Sequence, residues 1–253
     1  MGDGADHELI QDHEVLAWIG RFRFVTATLI AERFGVSVQK ARRRIRRLEK
    51  EGFVARERSH LAEDYAVFLT GAGAARMDLP RRRPPRVHVQ REHELAIVWL
   101  TSRLERASGT VVETERECRQ REAGREERRS VDVWMHRGER KDRRRWPDLA
   151  LRRDGRLIAV EIEFAPKGTK RLESIVDAYV QCPHYDGVRF LLSDPALAAR
   201  LTKIVDQQVE WVRRGMFGAR SRLDITVGPW TGGTEAQRRA VSDAIARVRS
   251  HSS

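Results

Sequence analysis

The chain has 253 residues, a formal net charge of +12 and a sequence pI of about 10.6. That length allows one large domain or two small ones, each with its own core, and that charge points to a polyanionic partner, nucleic acid being the commonest. No apolar run approaches the roughly 20 residues a membrane span requires, and the two cysteines, Cys118 and Cys182, have neither CxxC spacing nor a nearby His pair, which speaks against a zinc site.

The N-terminus is acidic and has no signal-peptide core, so a cytoplasmic protein with reduced thiols is expected. Short helices come first. "HEVLAWIG" places Val15, Trp18 and Ile19 on one face. Thr26 or Thr28 can cap a helix running to Phe34, which Gly35 ends in the left-handed conformation. Ser37 caps the next helix, about 38–50, and two helices across a Gly-containing turn make a helix-turn-helix. "FVARERS" and "YAVFLT" read as two strands with a polar tip, the hairpin that makes a winged helix, and "TGAGAARMDL" closes the domain. A basic, proline-rich stretch, "LPRRRPPRVHV", cannot form a regular helix or central strand. The expected division is therefore a domain over 1–80, a linker over 81–89 and a second domain over 90–253.

In the second domain, "VQREHELAIVWLTSRLERA" is a helix and "TVVETEREC" a strand. Residues 119–146 are polar and basic and read as a loop or poorly paired hairpin. "DLALRR-DG-RLIAVEIEF" is a β-hairpin, because Asp-Gly between alternating runs is a strong turn signal. A helix with Leu172, Ile175, Val176 and Tyr179 on one face follows, then a buried strand, "GVRFLLS". Asp194 and Pro195 start another helix, "RLDITVG" is a last strand, and a Thr234–Gln237 capping box opens a last helix. The order α-β-β-β-α-β-α-β-α implies a mixed central sheet in an α/β domain, α+β for the whole chain.

Two features carry chemistry. In helix 38–50, Val38, Ala41, Ile45 and Leu48 form one stripe, and the opposite face holds Gln39, Lys40, Arg43, Arg46, Arg47 and Lys50, with Arg42 and Arg44 on the flanks. Glu49 is the one acid in that helix, whereas solvated helices usually mix both signs. In a helix-turn-helix such a face enters the major groove, where arginine pairs with guanine and glutamine with adenine. The second feature is the hairpin. A two-residue Asp154-Gly155 turn pairs Arg153 with Arg156 and Leu149 with Val160, which sets Asp148 against Glu161. Glu163 shares a face with Glu161. Like charges directly opposite destabilise a sheet, so a cation is expected: Mg²⁺ or Mn²⁺ bound by Asp148 and Glu161, or, at a wet strand end, Arg145 or Arg152.

"PD" at 147–148 and "VEIE" at 160–163, in this order of elements, resemble the core of the PD-(D/E)xK nucleases. More closely, "HELAIVWLTSRL", "TERE" at 114–117, "WPDLALRRDGRLIAVEIEFAPKGTKRLESIVDAYV" and "LTGAGAARM" resemble the replication-relaxation family of actinobacterial plasmids and integrated elements, which joins a winged helix to a PD-(D/E)xK-like domain of α-β-β-β-α-β order. The resemblance implies a metal pair of Asp148 and Glu161 and a first-helix acid at Glu94, with Glu92 and Glu115 as alternatives. It also implies a lysine at position 163, where this chain has Glu163. Lys167 or Lys170 can supply that cation, or "PKGTKR" contacts phosphate or caps the next helix. His93 reads as a packing residue. The expected partner is double-stranded DNA, with no membrane and with a homodimer as an option. The expected activity is divalent-metal nicking or cleavage of DNA in plasmid or mobile-element replication. The alternative is a regulator or accessory protein with an inactive nuclease-like domain.

Overall fold

The computed structural model describes residues 11–58, 65–81, 91–106, 109–124, 127–133, 143–164, 168–214 and 223–230. The chain divides into two compact units, Met1–Val98 and Trp99–Ser253. Of the expected linker, residues 82–89 lie outside the described residues, as do the hairpin tip at 59–64 and the helix expected from Thr234.

The N-terminal unit contains α1 (Asp12–Arg21), α2 (Ala27–Phe34), α3 (Val38–Lys50), β1 (Val54–Glu57), β2 (Ala66–Leu69), α4 (Gly71–Arg76) and the first part of α5 (Arg91–Glu105). The helix boundaries follow from side-chain chemistry. Thr26 Oγ1 accepts from the Leu29 N–H at 3.3 Å and opens α2. Gly35, at φ +64°, ends it in a conformation that costs a side chain strain. Ser37 Oγ accepts from the Lys40 N–H at 3.3 Å and opens α3. β1 and β2 pair antiparallel, Val54 to Leu69 through Glu57 to Ala66. Val25 adds a single bridge to Val67. Val15, Leu16, Ile19, Ile30, Ala41, Ile45 and Leu48 are buried, so the apolar stripe read along α3 is its packed side. Within this unit Leu95 packs against Phe24 and Ala66.

The C-terminal unit contains the rest of α5, then β3 (Val111–Thr114), α6 (Glu115–Ala123), β4 (Val131–Val133), β5 (Arg143–Arg145), β6 (Leu149–Arg153), β7 (Arg156–Glu163), α7 (Thr169–Val180), β8 (Gly187–Leu192), α8 (Pro195–Arg213) and β9 (Asp224–Pro229). Its sheet runs β3-β6-β7-β8-β9. The first three strands are antiparallel and β7, β8 and β9 parallel, so the sheet is mixed, as the helix-linked strand order implies. One face carries Ala150, Leu157, Ala159, Val188, Phe190 and Leu192, which pack with Leu172, Ile175, Val176 and Tyr179 of α7 and Leu197, Leu201 and Ile204 of α8. Asp194 Oδ1 accepts from the Ala196 N–H at 2.8 Å ahead of Pro195, the expected start of α8. Asp154 (φ +51°) and Gly155 (φ +74°) form the left-handed turn between β6 and β7.

The region from 111 to 124 departs from its sequence reading. "TVVETEREC" is not one strand: β3 stops at Thr114, and Glu115–Ala123 is helical. Thr114 caps that helix, its N–H donating to Glu117 Oε2 at 2.8 Å while its Oγ1 accepts from the Glu117 N–H at 3.4 Å. A Thr-x-x-Glu box with an acidic first turn outweighs the strand preference of the preceding valines. In the polar stretch beyond it, read as a loop or poorly paired hairpin, the described residues pair β4 against β5, Val131 with Arg145 and Val133 with Arg143.

The start of α4 fixes how the hairpin strands close the N-terminal unit. Thr70 Oγ1 donates to the Gly52 carbonyl at 2.6 Å and accepts from the Gly73 N–H at 3.1 Å. A Cβ on Gly73 would lie 2.0 Å from the Phe53 carbonyl oxygen, a backbone atom that cannot rotate away. Gly73→Ala is therefore expected to destabilise the protein by about 1–3 kcal/mol, the usual cost of overpacking, seen as a lower urea midpoint at unchanged m-value. An unchanged midpoint would mean that the α4 start does not hold this close approach.

Candidate functional site

The outward face of α3 is the basic surface of the N-terminal unit. Gln39, Lys40, Arg42, Arg43, Arg46, Arg47 and Lys50 are exposed, and Arg44 is half-buried. The flanks are tied to neighbouring elements. On one, the Asp12 carboxylate of α1 accepts from Arg44 Nη1 at 2.6 Å and from Arg47 Nη2, and Glu51 stands 3.7 Å from Arg47. On the other, Glu49 accepts from Arg56 Nε of β1 at 2.8 Å, and the Arg56 guanidinium lies over the ring of Tyr65, 5.2 Å from its centroid. Between them, Lys40, Arg43, Arg46 and Lys50 make no ion pair among the described residues. Of the six expected contact residues, five thus share an unpaired strip, and the sixth, Arg47, is held by Asp12. Nothing in the α3 pattern alone signals that restraint, since Asp12 comes from another helix.

The hairpin register is the one expected from Arg153–Arg156 outward, and Asp148 and Glu161 come next after the last pair, Leu149–Val160. The ladder ends there. Asp148 Oδ2 accepts from the Ile162 N–H at 2.7 Å, and its carbonyl accepts from the Glu115 N–H at 3.2 Å. Glu161 is 3% exposed. Its Oε1 accepts from Arg145 Nε at 3.2 Å and from the Tyr179 hydroxyl at 2.5 Å, and its Oε2 accepts from Arg145 Nη2. The charge on Glu161 raises the Arg145 pKa above its ordinary value despite burial, with Asp148 adding a smaller push the same way. Burial, and then Glu161, hold the Tyr179 hydroxyl well above its ordinary range, so it stays a donor.

The other expected site residues lie as follows. Glu163, at the end of β7, is half-buried, and Lys170 is exposed in the first turn of α7. Lys167 lies outside the described residues. Glu94 groups with the N-terminal unit, where its Oε1 is 3.1 Å from Arg23 Nε. Glu115 pairs with Arg119 of its own helix. Arg152, the other cation weighed for the hairpin acids, donates to Glu127 at 2.7 Å. No group of three or more His, Cys, Asp or Glu side chains that could hold a metal ion occurs among the described residues.

The residues around Glu161 do not fit Mg²⁺ or Mn²⁺. Such an ion needs carboxylate oxygens with free lone pairs. Here both Glu161 oxygens accept from a guanidinium that already supplies the positive charge, and one Asp148 oxygen serves a backbone amide. A divalent ion at this point would compete with Arg145 for the Glu161 oxygens.

A second buried pair, unforeseen from sequence, lies on the same sheet face. Glu113 of β3, the partner of Ala150, is 7% exposed, and Arg129 is 1% exposed. Arg129 Nε donates to Glu113 Oε2 at 2.8 Å, its Nη2 reaches Glu127 at 2.6 Å, and its carbonyl accepts from the Tyr185 hydroxyl at 2.7 Å. Burial lowers the Arg129 pKa, but the bonds to Glu113 and Glu127 outweigh it and leave it raised. Glu122 of α6 accepts from the Ser130 N–H and hydroxyl, each at 2.8 Å, and from Trp146 Nε1 at 3.0 Å. Burial raises its carboxyl pKa, and these donors more than reverse the shift.

Residues 10–60 match the MarR family. The N-terminal region is similar to MarR-family winged helices. The match takes in α1, α2, α3 and β1, so the exposed basic helix is the third helix of a MarR-like helix-turn-helix, and the similarity points to DNA binding. No curated protein matches the chain. No helix among the described residues is long and apolar enough to cross a membrane.

Truncating one partner of a buried pair strands the other's charge, at a cost of about 3–5 kcal/mol, whereas replacing the whole set by apolar groups is often neutral. Arg145→Ala is expected to lower stability by that amount. Arg145→Met combined with Glu161→Leu and Tyr179→Phe should recover most of it. Chemical denaturation of both proteins checks this. Equal losses would show that shape, not stranded charge, sets the cost.

Proposed function

We propose that the protein binds double-stranded DNA through the exposed face of α3 and that its C-terminal unit is a non-cleaving accessory domain. The observation that supports the first part is the strip of Gln39, Lys40, Arg43, Arg46 and Lys50 on the third helix of a MarR-like winged helix. Lysine and arginine there neutralise phosphates and release counterions, and arginine or glutamine can read base edges in the major groove. A homodimer fits this reading, since MarR proteins are often dimers. The setting, plasmid or mobile-element replication, rests on the resemblance to replication-relaxation proteins alone.

The second part is favoured over nicking by one observation: Arg145 and Tyr179 take the Glu161 oxygens that a catalytic ion would use. An acid opposite another acid then has a structural explanation. Asp148 closes the end of the β6–β7 ladder, and Glu161 anchors β5 and α7 to β7.

Two measurements test this. Arg43→Ala with Arg46→Ala should weaken binding to any duplex and make the dependence of log K on log salt shallower by about 1.8, two phosphate contacts at about 0.9 each. Unchanged affinity and slope would put the DNA surface elsewhere. Purified protein with Mg²⁺ or Mn²⁺ should leave supercoiled plasmid intact. Nicking that disappears in Asp148→Asn would overturn the non-cleaving reading and restore the metal pair of Asp148 and Glu161.

A further inference from the structure

We infer that Asp12 is a positioning residue that restrains Arg44 and Arg47 and so limits the sequence-independent grip of α3 on DNA. This rests on the reading of α3 as the DNA-contacting helix. Its observation is separate: one carboxylate from α1 bridges two arginines spaced three apart on one flank of α3. The first turn of α1 is already closed by Glu14, whose Oε2 accepts from the Gln11 N–H at 3.0 Å. The Asp12 carboxylate is directed instead at the basic helix.

The exposures decide what the bridge does. Side-chain exposure is 54% for Arg47, 31% for Asp12 and 22% for Arg44. Arg47 is thus open to an approaching phosphate, and the pair that holds it is solvated enough to exchange. A cation with no partner, such as Arg43 or Arg46, contributes its full attraction when a phosphate arrives. Arg47 contributes only the difference between phosphate and Asp12, and the Asp12 charge repels the same phosphate. The loss falls on every sequence alike, whereas base contacts by the central strip are untouched. Because specificity is a difference of affinities, a uniform restraint on phosphate contact raises the share of binding that reads sequence.

The test uses the full chain and two duplexes, one of random sequence and one selected by the protein from a randomised pool, followed by fluorescence anisotropy over a salt series. Asp12→Asn should bind the random duplex several-fold more tightly at low salt, with a log K–log salt slope steeper by about 1 to 2 as Arg44 and Arg47 gain phosphates. The ratio of selected to random affinity should fall. In a protein already carrying Arg44→Gln and Arg47→Gln, Asp12→Asn should change both quantities far less, because most of its effect runs through those side chains. Arg47→Gln alone should flatten the slope less than Arg43→Gln, a comparison that does not depend on how Asp12→Asn folds. Random-duplex affinity and slope unmoved by Asp12→Asn, or moved equally without the two arginines, overturns the inference and leaves the DNA reading standing. Absence of salt-dependent duplex binding by the unaltered protein overturns the DNA reading itself, and this inference with it.

Discussion

A carboxylate inside a sheet face has to be neutralised where it stands, and much of the C-terminal unit follows from how Glu161 and Glu113 meet that constraint. Desolvating a charge is costly, and the cost falls only if a partner of opposite sign arrives with good geometry and further donors. Arg145 and Tyr179 do this for Glu161, and Arg129 for Glu113. Both arginines belong to the segment between β3 and β6. Arg145 is the last residue of β5 and Arg129 lies just before β4, so the β4–β5 ribbon joins two buried anchors. Glu122 adds a third by gathering Ser130 and Trp146. The described parts of this segment are thereby held by ionic contacts beside Cys118, Val131 and Val133, which reach the core.

That arrangement explains what could and could not be read along the chain. The β6–β7 register was legible because Asp-Gly demands a two-residue turn, and the turn sets every pair outward from it as far as Leu149 and Val160. The start of α3 was legible from Ser37 and its packed side from Ala41, Ile45 and Leu48, since capping and helical period are local. The structure of the described parts of a polar stretch such as 119–146 is not a local property. No hydrophobic period marks them, and they are held by Glu113 and Glu161, which lie on strands on either side of the stretch in sequence. The helix over Glu115–Ala123 was a different kind of miss. Its signal, the Thr114-to-Glu117 box, is local, but the preceding valines are strand-forming and draw the eye past it.

The candidate site divides along the same line. The opposition of Asp148 and Glu161 could be reasoned from register, and so could the need for a cation. Which cation could not, because a metal and a guanidinium satisfy the same like-charge pair on paper. What sets the strength of the guanidinium partner is burial. In water at a strand end, Arg145 would be a weak and exchangeable partner. With Glu161 at 3% exposure, the two form a fixed pair whose disruption strands a charge.

Arginine therefore does opposite work in the two units, and the surroundings decide which. On α3 the guanidinium groups stay wet, so their attraction is long-ranged, screened by salt and available to a polyanion. In the C-terminal unit Arg129 is buried and Arg145 half-buried, their donors go mainly to carboxylates, and their charge is cancelled locally. Net charge cannot distinguish the two kinds, although only the first is open to a polyanion. Arg47, exposed yet bridged by Asp12, stands between them. The functional meaning of a strongly basic composition lies in how its cations divide among unpaired, exchangeable and buried states.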